Sequence, residues 1–177
     1  MEKTIIYYYS KKGNNRFLAE KIAGELNCDI EEIRPRLNLF PLILTGFTAG
    51  IWKLGNSPDN YERVIICGPV FVGRFIAPLK QLIIKYEKQI KKLVFVTCCG
   101  SGFEQKDEKF GHGHVFNRIR EMLGDKCVHC EAFPISLVVP EEKRKDPDAI
   151  MKTRLSEDNF KGEIIERFER FVQKIQN

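Results

Sequence analysis

Short apolar runs rich in β-branched and aromatic residues alternate along the chain with stripes of apolar residues at helical spacing. Such a run is too brief for a helix and predicts a strand, whereas apolar residues recurring three or four positions apart predict an amphipathic helix. We therefore expect five strands, over residues 4–9, 28–35, 63–68, 92–99 and 127–139.

Four apolar stripes predict the helices between and after these strands. In the first stripe, Leu18, Ile22 and Leu26 recur four residues apart, and Asn27 ends the pattern. The other stripes are Leu79, Leu82, Ile83 and Tyr86 with Pro78 in the first turn; Val115, Ile119, Met122 and Leu123 stopped by Gly124; and Phe160, Ile164, Phe168, Phe171, Val172 and Ile175 with Ser156 as cap.

This alternation of strands and helices predicts an α/β fold: a three-layer, doubly wound domain with a five-stranded parallel sheet between helices. The length of 177 residues suits a single domain over residues 1–177. Ligands bind such sheets at the carboxyl ends of the strands, near the point where strand order reverses. The loops after strands one, three and four are therefore the candidate site.

The first of these loops is polar and joins strand one directly to a helix. Its glycine permits a sharp turn, its serine and asparagine side chains can donate, and the backbone N–H groups of the helix start point into it. These features favour an anion site, although a polar capped turn is the commoner origin of such a stretch alone. The candidate residues are Ser10, Lys11, Lys12, Gly13, Asn14 and Asn15.

The loops after strands three and four are rich in glycine and apolar residues. Phe71 either lies against a flat aromatic ligand or packs under its loop as core, and both interpretations stay open. In the later loop, two glycines allow close approach of the backbone to a ligand, which Phe103 is available to cover. The candidate residues are Pro69, Val70, Phe71, Val72 and Gly73, and then Cys99, Gly100, Ser101, Gly102 and Phe103.

With these three loops at one sheet edge, the chain resembles the flavodoxin-like family over nearly its whole length. The family's phosphate loop follows the pattern T-x-T-G-N-T, which residues 10–15 match in length, in the opening hydroxyl and in the Gly13-Asn14 pair. Lys12 and Asn15 depart from it, each replacing a hydroxyl residue. The resemblance implies strand order 2-1-3-4-5 and FMN as cofactor, with its phosphate in the first loop and its ring between the other two.

The resemblance also implies electron or hydride transfer, in which the flavin does the chemistry and no side chain need be catalytic. Small flavodoxin carriers are typically acidic, whereas this chain has a net charge of +5. That favours an oxidoreductase with an NAD(P)H or quinone partner, and Arg74 or the lysines of the first loop are available to a phosphorylated dinucleotide. A one-electron carrier, and a domain that has lost FMN and acts as a binding or regulatory module, remain alternatives.

The histidines and cysteines carry weaker signals. His112 and His114 stand at a predicted helix start, where a polar cap is commoner than a metal site, although either can supply a proton near a flavin. No histidine or acid partner for Cys99 is readable from the sequence. Cys127 and Cys130 form a CxxC inside a predicted strand, where residues three apart point to opposite faces. We therefore expect no metal site and no redox pair there.

The longest uncharged stretch covers residues 37–52. It is shorter than the roughly 20 apolar residues that span a membrane, and proline and glycine interrupt it. It predicts a buried helix or a flap beside the cofactor; contact with lipid or with a second subunit, and so a homodimer, stays open.

Two further expectations concern location and partners. The chain runs straight into a strand without a basic and apolar leader, which predicts a cytoplasmic protein with reduced cysteines. Lysines spaced along a helix and its exit predict a solvated face and no nucleic-acid binding.

Overall fold

The structure is a computed structural model and describes residues 2–37, 49–71, 73–100 and 111–177. Its strands are β1 (Thr4–Tyr8), β2 (Asp29–Glu32), β3 (Arg63–Cys67), β4 (Val70–Phe71), β5 (Arg74–Phe75), β6 (Lys92–Cys99) and β7 (Cys127–Pro134). Its helices are α1 (Asn14–Leu26), α2 (Ala77–Tyr86), α3 (His112–Leu123), α4 (Pro147–Lys152) and α5 (Glu163–Gln176). Short 3-10 turns cover Pro58–Asn60, Gly124–Lys126, Ile135–Val138 and Glu141–Lys143.

Five strands form one parallel sheet in the order β2-β1-β3-β6-β7. If only these five strands are numbered along the chain, without the hairpin strands β4 and β5, the order is 2-1-3-4-5. This is the order that the resemblance implies. The register pairs Tyr8 with Cys67 and Cys67 with Val96, so β1 and β3 end level while β6 continues to Cys99. The loops after these three strands therefore leave the same edge of the sheet.

Helices cover both faces of the sheet. On one face, α1 and α5 share a core with alternate strand residues such as Ile6 and Val94. On the other face, α2 and α3 pack with the intervening residues, such as Ile5 and Phe95. This burial on both sides explains the near-continuous apolar runs of the central strands and confirms the predicted three layers.

The C-terminal helix starts later than its apolar stripe suggests. Phe160 was expected inside the helix with Ser156 as its cap, but α5 begins at Glu163. Phe160 instead lies in a separate turn, in which its backbone N–H donates to the carbonyl of Ser156 at 3.0 Å. Gly162 separates the two with φ 67° and ψ −134°, a conformation that favours glycine and cannot continue a helix.

The last sheet strand is shorter than predicted. β7 ends at Pro134, although the apolar run continues to Val139. Pro134 pairs with Cys99, the final residue of β6, so β6 has no further residue with which a longer β7 could pair. The following residues, Ile135–Val138, form a 3-10 turn instead.

β7 also carries a β-bulge near its start. Leu93 pairs with Cys127 and Val94 with His129, so Val128 has no partner in the register. The extra residue rotates the strand, and the Sγ atoms of Cys127 and Cys130 lie 3.6 Å apart. The prediction that these two side chains point to opposite faces is therefore wrong.

The segment over residues 37–52 is described only in part. Residues 38–48, on which the helix or flap interpretation rests, lie outside the described residues. At the end of the segment, Ile51 is buried and bridges to Pro35, while Trp52 is 60% exposed with the Arg36 guanidinium near its ring. Among the described residues, no helix is both long enough and apolar enough to cross a membrane.

Candidate functional site

The loop after β1 leaves four exposed or half-exposed residues in front of a helix N-terminus. Gly13 adopts φ 92°, in the left-handed region, and α1 begins at the next residue. The hydroxyl of Ser10 accepts a hydrogen bond from the backbone N–H of Gly13 at 3.1 Å, which closes the turn. Lys11 and Lys12 are exposed, and a Cβ built on Gly13 would have no atom of the described residues within 4 Å. Within the described part of the chain, the loop is thus open on the outer side of Gly13.

Asn15 is buried and does not face this opening. Its side-chain Oδ1 accepts from the backbone N–H of Cys98 at 2.7 Å, and its Nδ2 donates to the carbonyl of the same residue at 3.2 Å. The Cys67 thiol donates to the Asn15 carbonyl at 3.2 Å. The expectation that this amide donates to an anion is therefore not met; the side chain instead fixes the helix start against β3 and β6.

Asn14 fixes the helix start from the other side. Its Oδ1 accepts from the backbone N–H of Leu155 at 3.0 Å, and its Nδ2 donates to the carbonyl of Thr153 at 3.4 Å. The two asparagines therefore hold the first turn of α1 between the sheet and the segment that follows α4. Sequence reasoning missed both roles, because the partners lie 83 and about 140 residues away in the chain.

The strands β4 and β5 form an antiparallel hairpin after β3. Val70 pairs with Phe75, and both pack against the core, where the Phe75 ring meets Phe95 edge-on at 5.4 Å. Phe71 pairs with Arg74 on the outer face and is 40% exposed. The interpretation of Phe71 as core is thereby excluded.

Packing favours glycine at position 68, which leads into this hairpin. A Cβ at this position would lie 2.6 Å from Cδ1 of the buried Leu79 on α2. Glycine therefore lets the helix approach the end of β3, where the chain enters the hairpin. Pro69 and Gly73 are described, whereas Val72 lies outside the described residues.

The end of β6 brings a cysteine and a histidine together. The Cys99 Sγ lies 3.8 Å from Nδ1 of His112, the first residue of α3, and both side chains are buried. The N-cap position of α3 is Gly111, and His112 is the first residue inside the helix. Ser101, Gly102 and Phe103 lie outside the described residues.

One polar group near this strand end is buried without a partner. The Thr97 hydroxyl has no hydrogen bond within the described part of the chain, and its residue is fully buried. The neighbouring thiols of Cys67 and Cys98 are also buried, which raises the pKa of each and keeps them protonated. These two cysteines therefore act as small apolar residues with weak donors, not as nucleophiles.

No protein-family model and no curated protein sequence matches the chain. Solved structures do match. A flavoprotein from Lactobacillus acidophilus NCFM, crystallised with FMN, is 19% identical, with a TM-score of 0.61 over 75% of this chain and 93% of that one. A protein described as a flavoprotein from Bacteroides eggerthii DSM 20697 is 16% identical, with a TM-score of 0.62 over 85% and 94%.

The chain has the flavodoxin-like fold. Identities this low show the fold alone, and the observed strand order agrees with it. In a flavodoxin-like sheet, strand order reverses between β1 and β3, and the open loop at Ser10–Gly13 follows β1 at that point. The Phe71 hairpin follows β3, and the Cys99–His112 pair marks the end of β6. The three predicted loops thus leave neighbouring strands of this fold.

Proposed function

We propose that this chain is an FMN-dependent flavoprotein that transfers electrons or hydride, as an oxidoreductase with a nicotinamide or quinone-type partner. The observation that carries the proposal is the open loop at Ser10–Gly13 in front of α1. It lies at the switch point of the sheet, where doubly wound folds bind their ligands. The Lactobacillus acidophilus flavoprotein, which shares the fold, was crystallised with FMN.

The first loop fits a dianionic phosphate. The first N–H groups of a helix have no partner inside the helix, and the helix dipole favours negative charge at this end. Lys11 and Lys12 add positive charge to the loop, and Lys12 does so at a position where the family has a hydroxyl. Because Asn14 and Asn15 already hold the helix start in place, little ordering would be needed on binding. The Ser10 hydroxyl accepts from Gly13 and still has its own proton to donate.

We assign the isoalloxazine ring to the edge of the sheet where the β4–β5 hairpin follows β3 and where β6 ends at Cys99. Phe71 supports this assignment because it presents an aromatic ring on the outer face of the hairpin. The buried Cys99 and the adjacent Gly100 begin the loop on the other side. When bound, FMN would supply the electron-accepting ring, while these residues would orient it and exclude water.

Charge supports an oxidoreductase over a carrier. The net charge of +5 suits an anionic substrate better than docking on a basic redox partner. Arg74 is exposed and lies opposite Phe71 in the hairpin, so its guanidinium is available to a dinucleotide phosphate beside the flavin. This arrangement favours NADPH or NADH as the electron donor.

The test is anaerobic mixing of the FMN-loaded protein with NADH or NADPH, followed by the flavin absorbance. An oxidoreductase is bleached rapidly, and Arg74→Ala raises the KM for NADPH by about tenfold, as loss of one charged contact predicts. Lys88→Ala removes the same charge from an exposed position after α2 and should leave this KM unchanged. Bound flavin that is not bleached would identify a one-electron carrier, and failure to bind FMN would identify a module without the cofactor.

A further inference from the structure

The bulge in β7 creates a close pair of thiols at the edge of the sheet opposite to the three loops. Cys127 and Cys130 lie near the amino end of β7, where Cys127 pairs with Leu93. The candidate flavin site begins at Cys99, six residues further along β6, which corresponds to about 20 Å at ~3.3 Å per residue. The pair therefore belongs to a different site from the one proposed for FMN.

The two sulfur atoms are already close to bonding distance. Their separation is 3.6 Å, and a disulfide requires about 2.0 Å, so they need to approach by only about 1.5 Å. Val128, the bulged residue, is 51% exposed, which leaves the strand free to adjust on its outer side. Without the bulge, the same two residues would lie on opposite faces of the sheet.

The surroundings make the two thiols unequal. Cys130 is buried in the core under α3, whereas Cys127 is half-buried and accessible to solvent. The hydrogen bond from Cys130 lowers the pKa of Cys127 below its ordinary value, although burial opposes this, and the charge of Arg120 contributes in the same direction. The same hydrogen bond and burial raise the pKa of Cys130. One accessible cysteine with a lowered pKa beside one buried thiol is the arrangement of reactive CxxC pairs.

A metal site fits the geometry less well. His129 points to the opposite face of the sheet, where its ring stacks on Phe171 at 5.9 Å and its Nε2 lies 3.1 Å from Glu131. Within the described part of the chain, no group of three or more metal-ligating side chains occurs. Two thiolates alone fall short of the four ligands of a structural zinc site.

We propose that Cys127 and Cys130 form a reversible redox dithiol that exchanges with small disulfides such as oxidised glutathione. The Cys127 thiolate attacks one sulfur of the small disulfide, which forms a mixed disulfide and releases one small thiolate that takes up a proton. Cys130 then loses its proton and attacks Sγ of Cys127, which closes the protein disulfide and releases the second small thiol. Two protein thiols are oxidised by two electrons, and one small disulfide is reduced to two thiols.

The test uses the full chain in a series of reduced-to-oxidised glutathione ratios, followed by alkylation, tryptic digestion and mass spectrometry. Trypsin cleaves after Lys126 and Lys143, so both cysteines lie on one peptide, 127–143, that contains no other cysteine. As the share of oxidised glutathione rises, we expect the doubly alkylated form of this peptide to be replaced by a form without alkyl groups. The mass of that form should be two hydrogens below that of the unmodified dithiol peptide. Return to reduced glutathione should restore it.

Two variants identify the order of attack. Cys130→Ser should accumulate a glutathione adduct on Cys127, because the second attack is blocked. Cys28→Ser is the matched control and should oxidise at 127–143 like the wild type. In the wild type, Cys127 should be alkylated at least tenfold faster than Cys28, because burial raises the pKa of Cys28 to about 11.

The proposal is overturned if peptide 127–143 stays a dithiol at every glutathione ratio. It is also overturned if Cys127 is alkylated no faster than Cys28, or if Cys130→Ser forms no adduct. Because the first measurement is made on wild-type protein, a variant that fails to fold does not remove the test.

Discussion

The side-chain amide of Asn15 is paired with both backbone groups of Cys98, at 2.7 Å to its N–H and 3.2 Å to its carbonyl. This joins the first turn of α1 to the end of β6 across 83 residues of chain. Because both partners are buried, the contact determines where the N-terminus of α1 lies relative to the sheet. That position sets the geometry of the loop to which we assign the FMN phosphate.

Asn15→Ala should lower the free energy of unfolding by about 2–4 kcal/mol, because it leaves two buried backbone groups of Cys98 without a partner. Asn14→Ala is the matched control, since its partners are only partly buried and its cost should be about 1 kcal/mol. Urea denaturation of the protein without added FMN measures both. Equal costs for the two variants would contradict the role assigned to Asn15.

Gly68→Ala should destabilise the fold by about 1–3 kcal/mol, because its Cβ would lie 2.6 Å from Cδ1 of Leu79 in a packed core. Gly24→Ala makes the same chemical change inside α1, where a Cβ would meet nothing within 4 Å, and should stabilise by about 0.5–1 kcal/mol. Thermal and urea unfolding distinguish the two. Destabilisation by both variants would show that the contact with Leu79 is not the cause.

Phe71→Ala should weaken FMN binding by about tenfold while changing stability by less than about 1 kcal/mol, because the ring is 40% exposed. Phe75→Ala, in the same hairpin, should instead lower the free energy of unfolding by about 2–4 kcal/mol, since Phe75 packs edge-on against the buried Phe95. Flavin titration and urea denaturation of each variant make the comparison. Unchanged FMN affinity in Phe71→Ala would remove Phe71 from the ring site.

Glu131 should contribute stability that depends on pH. Burial raises the pKa of its carboxyl, but the hydrogen bond with His129 and the charge of Arg167 outweigh this and hold the pKa below the ordinary 4.5. A carboxyl of this kind stabilises the fold above its unfolded pKa and loses that contribution as pH falls through the lower, folded value. The wild type should therefore exceed Glu131→Gln in stability at pH 7, and the difference should shrink below about pH 4.5.

The control for this prediction is Glu166→Gln. Glu166 is exposed and lies 3.9 Å from Arg170, so its removal should change the free energy of unfolding by less than about 0.5 kcal/mol at any pH. Urea denaturation at a series of pH values gives both curves. A difference in free energy of unfolding between wild type and Glu131→Gln that stays constant down to pH 3 would contradict a lowered pKa for Glu131.

Periodicity predicted most of the fold because long apolar stripes report burial directly. The spacing of Leu18, Ile22 and Leu26 identified α1 up to its end, where Asn27 adopts the left-handed conformation. Hairpin strands of two residues, as at Val70–Phe71, are too short to show any period. The start of α5 was misplaced because the turn that holds Phe160 continues the apolar spacing of the helix.

The candidate site was only partly predictable. Topology brings the three loops to one edge, and this follows from the alternation of strands and helices along the chain. The contact of Asn15 with Cys98, and the approach of Cys99 to His112, depend on packing between distant segments that no local pattern records. The Cys127–Cys130 pair was missed for a related reason, since a single bulged residue reverses the alternation on which the prediction relied.

The loop lysines supply a prediction on the cofactor itself. Reversing both charges, in Lys11→Glu with Lys12→Glu, should weaken FMN binding by about tenfold or more, and added salt should reduce the difference. Lys88→Glu makes a charge reversal at an exposed position after α2, far from the loop, and should leave the affinity unchanged. Quenching of flavin fluorescence during titration measures the dissociation constants.

The most direct measurement is the flavin content of freshly purified wild-type protein, followed by titration with added FMN. We expect a yellow protein whose flavin absorbance is released on denaturation and identified as FMN, at up to one per chain. A colourless protein that takes up no added FMN would contradict the proposal that this chain is an FMN-dependent flavoprotein.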